Sequence, residues 1–201
     1  EEYARVAKNY PASEEAAEAM FRKAMIDARQ EKWSATELAL AEALAGGKIG
    51  RRKAEALYWR GVAAMKLGHE AEGAAFLEQA MAAGIGLDES REARLMIADC
   101  DYRGGRLDLA KKAYAQLVKE GACERMSAAR IHAVGKLLGG AEAETCARAL
   151  VKGDESVQKI TLRDPTAVEF TGVNGAEADN YILTFAPTGA ITRRPLSINQ
   201  I

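Results

Sequence analysis

Two histidines and three cysteines are the residues of this 201-residue chain best suited to nucleophilic, acid–base or metal chemistry. Their spacing offers none of the arrangements that such chemistry needs. His69 follows Gly68 at a predicted turn, where an exposed side chain is expected, and His132 lies inside the helical heptapeptide "SAARIHA". Neither belongs to a Ser–His–Asp spacing or stands near a nucleophile elbow. Cys100, Cys123 and Cys146 are too few and too widely spaced for a disulfide framework, and without a C-x-x-C they argue against a structural zinc site. Their odd number leaves at least one thiol unpaired within the chain; two of them read as small apolar residues buried on helices. "GKIG" at Gly47–Gly50 and "GVNG" at Gly172–Gly175 lack the phosphate-loop pattern, and neither joins a strand to a helix. Acidic pairs such as Glu14-Glu15 are ordinary helix-start residues. The sequence therefore predicts no catalytic residue, no metal ligand and no cofactor, and a protein that is not an enzyme.

Composition narrows the remaining functions. A net charge of −1 argues against nucleic acid as a partner, because phosphate binding needs a basic surface. No run of about 18 apolar residues is present, so no membrane span is predicted. The first residue is Glu1 rather than Met, as expected of a cut or processed chain, so the lack of a leader leaves the compartment open.

What the chain does carry is a repeat. "EAMFRKA", "EALYWRG" and "EARLMIA" begin at Glu18, Glu55 and Glu92, 37 residues apart. Gly68 and Gly105 each follow the small residue closing a heptapeptide, Gly61 or Ala98, by seven residues. Small residues recur at Gly73 and Ala110, large ones at Leu77 and Tyr114, then Ala80 and Leu117. Each unit reads as helix, glycine turn and second helix, with small residues where the helices cross closely and glycine supplying a positive φ. The first unit departs in part: Glu31 stands at the turn position and Thr36 at the crossing, while Leu40 and Ala43 keep the pattern. A weaker copy starts at Ser127, with Gly140 at its turn position. Tyr3 and Pro11 match the end of an earlier unit. Trp33 and Trp59 read as packing residues.

This pattern resembles the tetratricopeptide repeat family over Glu1 to Gly153, through Ala24, Gly61, Ala98, Gly68, Gly105, Gly73, Ala110, Tyr114 and Pro11. At the first-helix position where that family usually has Leu, this chain has Lys23, Arg60 and Ile97. The resemblance implies a mainly α fold: an α-α superhelix, a solenoid of helix pairs in which neighbours complete each other's core. It also implies that first helices line a concave side where a peptide or partner helix binds. Carried over by position, the stripes are Glu18, Phe21, Met25 and Arg29; Glu55, Tyr58, Val62 and Lys66; and Glu92, Leu95, Asp99 and Arg103. Offsets of 3, 7 and 11 residues keep each stripe on one helix face. Across repeats they form an acidic row, an apolar middle and a basic row suited to carboxylates. Two competing explanations stand beside this one. Glu near a helix start and Arg or Lys near its end complement the macrodipole, and Phe21, Tyr58 and Leu95 could instead pack between repeats. The family's clamp for C-terminal carboxylates needs Asn, and these first helices have none. "YARVAKNYPASEEAAEAMFRKA" further resembles a bacterial cell-envelope variety of the family, found in periplasmic Tol-Pal coordinators and outer-membrane assembly lipoproteins, which implies a periplasmic or cell-envelope location.

After about Glu155 the composition turns β-branched and aromatic. "VQKITLR", "TAVEFTG", "NYILTFA" and "AITRRPL" predict three or four short antiparallel strands over Val157 to Ile201, separated by Asp164-Pro165, "VNGAEAD" and Pro187-Thr188-Gly189. The expected organisation is thus a helical repeat domain, 1–153, and a small β-rich segment, 154–201, that caps the solenoid. The leading function is a non-catalytic scaffold binding a protein or peptide partner. The alternative is a structural module that forms homo-oligomers by pairing the β segment between copies.

Overall fold

The computed structural model describes residues 2–9, 13–150, 157–164, 167–174 and 177–195. Pro11, the expected boundary at 153/154, the turn residues 165–166 and 175–176, and residues 196–201 of the expected β segment lie outside the described residues. The chain is mainly helical, and its contacts divide it into two compact units, Glu1–Met96 and Ile97–Ile201.

The first unit holds α1 (Glu2–Asn9), α2 (Glu14–Arg29), α3 (Trp33–Ala45), α4 (Lys53–Lys66), α5 (Glu70–Ala82) and the start of α6 (Leu87–Arg103). Ser13 caps α2, its Oγ accepting the Ala16 N–H at 3.0 Å. The helices pair through small residues. A Cβ added to Gly61 of α4 would lie 2.7 Å from Leu77 Cγ and 3.0 Å from the Gly73 carbonyl oxygen. One added to Gly73 of α5 would lie 3.0 Å from the Gly61 carbonyl oxygen and 3.1 Å from the Met65 nitrogen. The two backbones therefore all but touch at this crossing. In the α2–α3 pair, Ala24 and Thr36 are fully buried at the corresponding places. The Thr36 hydroxyl donates to the Lys32 carbonyl at 3.0 Å, which satisfies a buried polar group. Successive pairs share a core: Phe21 of α2, Ala39, Leu40 and Ala43 of α3, and Ala56 of α4 belong to one buried cluster with Trp59 against its edge.

The charged residues at the usual Leu position also find places. Arg60 extends its stem toward α5, with its guanidinium 4.1 Å from the Phe76 ring centre and 3.4 Å from Glu37 of α3. Lys23 pairs with Asp27 at 2.6 Å. A long stem that packs while its head reaches a carboxylate replaces Leu without burying a bare charge.

The turns require left-handed backbone. Gly68 and Gly105 have φ of 83° and 75°, and Glu31, at the equivalent place, is forced to φ 56°. In the weaker copy the left-handed residue is Gly139 (φ 115°), whereas Gly140, the residue expected there, begins the next helix. The cause is that the preceding helix stops at Leu137, one residue short of the register set by the other copies.

The second unit continues from the end of α6 through α7 (Leu107–Lys119), a 3-10 turn (Ala122–Arg125), α8 (Ala128–Leu137) and α9 (Gly140–Leu150). Its buried side chains include Ala98, Ala110, Tyr114, Leu117, Ile131, Val134, Ala143 and Ala147. From 157 the backbone runs as β1 (Val157–Asp164), β2 (Ala167–Asn174), β3 (Glu177–Phe185) and β4 (Ile191–Pro195), an antiparallel meander in chain order. Phe170 faces Tyr181 across β2–β3, and Tyr181 faces Pro195 across β3–β4. β1 lies against α9 and β3 against α8. The 186–190 turn is closed by Gly189 N–H to the Ala186 carbonyl at 2.9 Å.

Two substitutions test this geometry by thermal or urea unfolding. Glu31→Gly relieves a side chain held at positive φ and should raise stability by a few tenths to about 1 kcal/mol, the gain reduced by the looser unfolded chain. Gly73→Ala should lower it by about 1–3 kcal/mol, although Ala is the better helix former, because the obstacle is the backbone of α4.

Candidate partner-binding surface

Two members of the acidic row, Glu18 and Glu55, are engaged inside the first unit. Arg52, in the 3-10 turn Gly50–Arg52 that leads into α4, reaches back to Glu18 of α2 at 3.5 Å and forward to Glu55 at 2.8 Å. Its guanidinium lies 5.1 Å from the Phe21 ring centre. Arg22 adds a 2.8 Å bond to Glu18. The hydrogen bond from Arg22 and then the charge of Arg52 hold the Glu18 carboxyl below its ordinary range against the effect of burial. Glu55 lies in the first turn of α4, where the dipole favours it, but Glu18 and Glu92 stand beyond the first turn of their helices. For Glu18 the Arg52 clamp, rather than the dipole, is the structural role.

The middle of the stripes is buried. Phe21, Tyr58 and Leu95 are 3%, 9% and 0% exposed, and Val62 is buried with them. Side chains enclosed to this degree pack within the fold and do not stand open to a partner; Met25 is half-buried against the Phe21 cluster. Tyr58 meets the edge of Trp59 with ring centres 5.6 Å apart. The basic row is exposed: Arg29, Lys66 and Arg103 each close the last turn of their helix, where a cation complements the dipole. Lys66 Nζ also lies 5.9 Å from the Trp33 ring centre.

In the second unit Asp99 and Arg103 of the third stripe border a groove. Asp99 of α6 accepts the Tyr114 hydroxyl on one oxygen at 2.6 Å and Arg130 Nε on the other at 2.9 Å. Arg130 also donates from Nη1 to the Arg125 carbonyl at 3.1 Å. This network ties α6, α7 and α8 together beneath an open groove of about 680 Å³. Arg103 and Lys136 supply further cations to its lining, and Tyr102, Leu107, Leu137 and Pro187 its apolar surface. Pro187 belongs to the β3–β4 turn, which is anchored on α8 where His132 Nδ1 and the Phe185 carbonyl oxygen lie 2.8 Å apart. Phe185 itself is buried. His69 is exposed, as expected, at the start of α5.

Of the twelve stripe residues, Asp99 and Arg103 line this groove. Arg130 was readable by extending the stripe to the fourth copy, since it lies three residues after Ser127 as Phe21 does after Glu18. Tyr102, one turn from Asp99, lay on the same helix face. Leu107, Lys136 and Pro187 had no comparable signal, for they enter from a helix start, a different helix face and the β segment.

No family model matches the chain, and no curated protein matches it. The surface must therefore be read from its own chemistry. Among the described residues no group of His, Cys, Asp or Glu is placed to hold a metal ion, and no helix is long and apolar enough to cross a membrane.

Tyr114 gives the network a measurable signature. Burial first, and then the adjacent Asp99 carboxylate, push its phenol well above the ordinary value. A raised folded pKa means that the unfolded chain loses this proton first. The contribution is complete below about pH 10 and declines as pH rises beyond it. Tyr114→Phe should cost about 1.5–3 kcal/mol at neutral pH, the range for a hydrogen bond to a charged group. It should also lessen the loss of stability above pH 10, which urea unfolding at pH 7 and above pH 10 would record.

Proposed function

We propose that this chain is a non-catalytic scaffold of tetratricopeptide-like helix pairs, stacked as a solenoid and capped by the β segment, that holds an acidic peptide segment of a partner protein. The observation that carries the reading is the groove of the second unit. Its lining has three cations, Arg103, Arg130 and Lys136, against one anion, Asp99, and apolar side chains lie between them. Asp99 is occupied by Arg130 and Tyr114, so the outward character of the groove is cationic and apolar. Carboxylates meeting Arg103 and Lys136 while aliphatic side chains cover Leu107 and Leu137 would satisfy both parts of that surface.

The oligomerisation alternative draws less support from the sheet. Among the described residues its edge strands are β1 and β4. Register shifts interrupt β1 between Val157 and Lys159 and between Leu162 and Asp164. β4 carries Arg193, Arg194 and Pro195. Bulges, charges and proline are the devices by which sheets avoid pairing with another chain.

Binding to fluorescently labelled peptides, followed by anisotropy with the full chain, tests the scaffold reading. A peptide alternating Glu with Leu should bind, and its Gln-for-Glu counterpart should bind at least about tenfold more weakly. Charge reversal at Lys136 and Arg103 should abolish the difference and leave helicity intact, whereas reversal at Arg29 and Lys66 should leave it in place. Equal affinity for both peptides, or indifference to the Lys136 and Arg103 reversal, would overturn the assignment.

A further inference from the structure

Cys123 sits in the 3-10 turn between α7 and α8, and Cys146 lies in the second half of α9. Twenty-three residues separate them in sequence, yet their sulfur atoms are 2.7 Å apart. Both are free thiols, Cys123 at 6% exposure and Cys146 at 0%. Cys100 is engaged elsewhere, its Sγ accepting from Arg103 Nη2 at 3.3 Å. We propose that Cys123 and Cys146 form a dithiol site that closes reversibly to an intramolecular disulfide by exchange with a small-molecule disulfide of the glutathione type, while Cys100 remains a thiol.

Bonded sulfurs lie about 2.05 Å apart, so closure asks for an approach of about 0.7 Å between atoms already in contact. The order of steps follows from the two environments. The contact with Cys146 lowers the Cys123 thiol below its ordinary value, whereas the contact with Cys123 and then burial push Cys146 up. Cys123 is the less enclosed of the two, so its sulfur is the one a reagent reaches first. Its thiolate attacks one sulfur of the reagent disulfide; that S–S bond breaks and one small thiolate leaves, taking up a proton. Cys146 then gives its proton to solvent, and its sulfur attacks Cys123 Sγ in the mixed disulfide, expelling the second small thiolate, which is protonated in turn. Two protein thiols are oxidised and one reagent disulfide is reduced to two thiols. The loop so closed contains α8, the helix that brings Arg130 and Lys136 to the groove. The site itself does not depend on what the groove binds.

The full chain in native buffer, equilibrated with reduced and oxidised glutathione and quenched with acid, provides the test through thiol alkylation, intact mass and peptide mapping. Two of the three thiols should disappear together, with a mapped link between Cys123 and Cys146. The oxidised form should melt about 6 °C or more above the reduced form. Cys100→Ala should retain both results; Cys123→Ala or Cys146→Ala should lose both. Three alkylatable thiols in the most oxidising mixture, a stable glutathione adduct on Cys123, or a link involving Cys100 would overturn the proposal. Should the alanine variants fail to fold, the thiol count and peptide map of the unsubstituted chain decide alone.

Discussion

The structure rests on how closely two helices of a pair can approach. At Gly61 and Gly73 there is no room even for a methyl group without moving backbone, and the corresponding places elsewhere hold Ala24, Thr36, Ala98 and Ala110, all fully buried. The space beside such a crossing is filled within the pair, as Leu77 does against Gly61, and between pairs, where Phe21 shares one buried cluster with Ala56 of the next pair. Close pairing also demands a reversal within a few residues, which only left-handed backbone supplies. Glu31 shows the strength of the demand, because an ordinary L-residue is held at φ 56° where the other full copies have glycine.

Electrostatic contacts fix how successive pairs are set against each other within each unit. Arg52 spans Glu18 and Glu55, and Arg60 spans Glu37 and Phe76. The Arg52 side chain is 37% exposed, so its ion pairs fall in the range of about 0–1 kcal/mol and serve orientation more than stability. The Asp99–Arg130 pair is of another kind. With side chains 20% and 12% exposed and the second carboxylate oxygen satisfied by Tyr114, it is largely shielded from water and further hydrogen-bonded. Removing one member would leave a charge without its partner in a poorly hydrated place.

The helix pairs were legible because the spacing of small residue, turn and small residue leaves the sequence few other ways to fold. Arg60 was the point at which that reading was under strain, and its stem resolves it by packing like Leu while its head finds Glu37. The destination of Phe21, Tyr58 and Leu95 was not legible. An apolar residue recurring on one helix face obeys the same period whether it faces a partner or a neighbouring pair, and only burial separates the two. Gly140 misled for a simpler reason: the left-handed residue follows the actual end of a helix, and α8 ends early. The meeting of Cys123 with Cys146, and of Pro187 with α6, α7 and α8, depends on how distant segments return to each other, which spacing along the chain does not encode.

The groove itself follows from a substitution of residue class at fixed positions. Three residues after each unit's start stand Phe21, Tyr58, Leu95 and then Arg130; seven residues after it stand Met25, Val62, Asp99 and Val134. In the first unit both positions are apolar, and the surfaces of successive pairs close on one another through contacts such as those of the Phe21 cluster. In the second unit Asp99 and Arg130 occupy such positions and bond to each other. An ion pair needs its remaining donors and acceptors met, here by Tyr114 and the Arg125 carbonyl, and it cannot be compressed into a seamless apolar contact. The groove beside the pair is bordered by Leu107, Leu137, Arg103 and Lys136. The exchange of apolar for ionic residues that weakens the repeat as a pattern in sequence is the same exchange that gives the second unit a surface to offer.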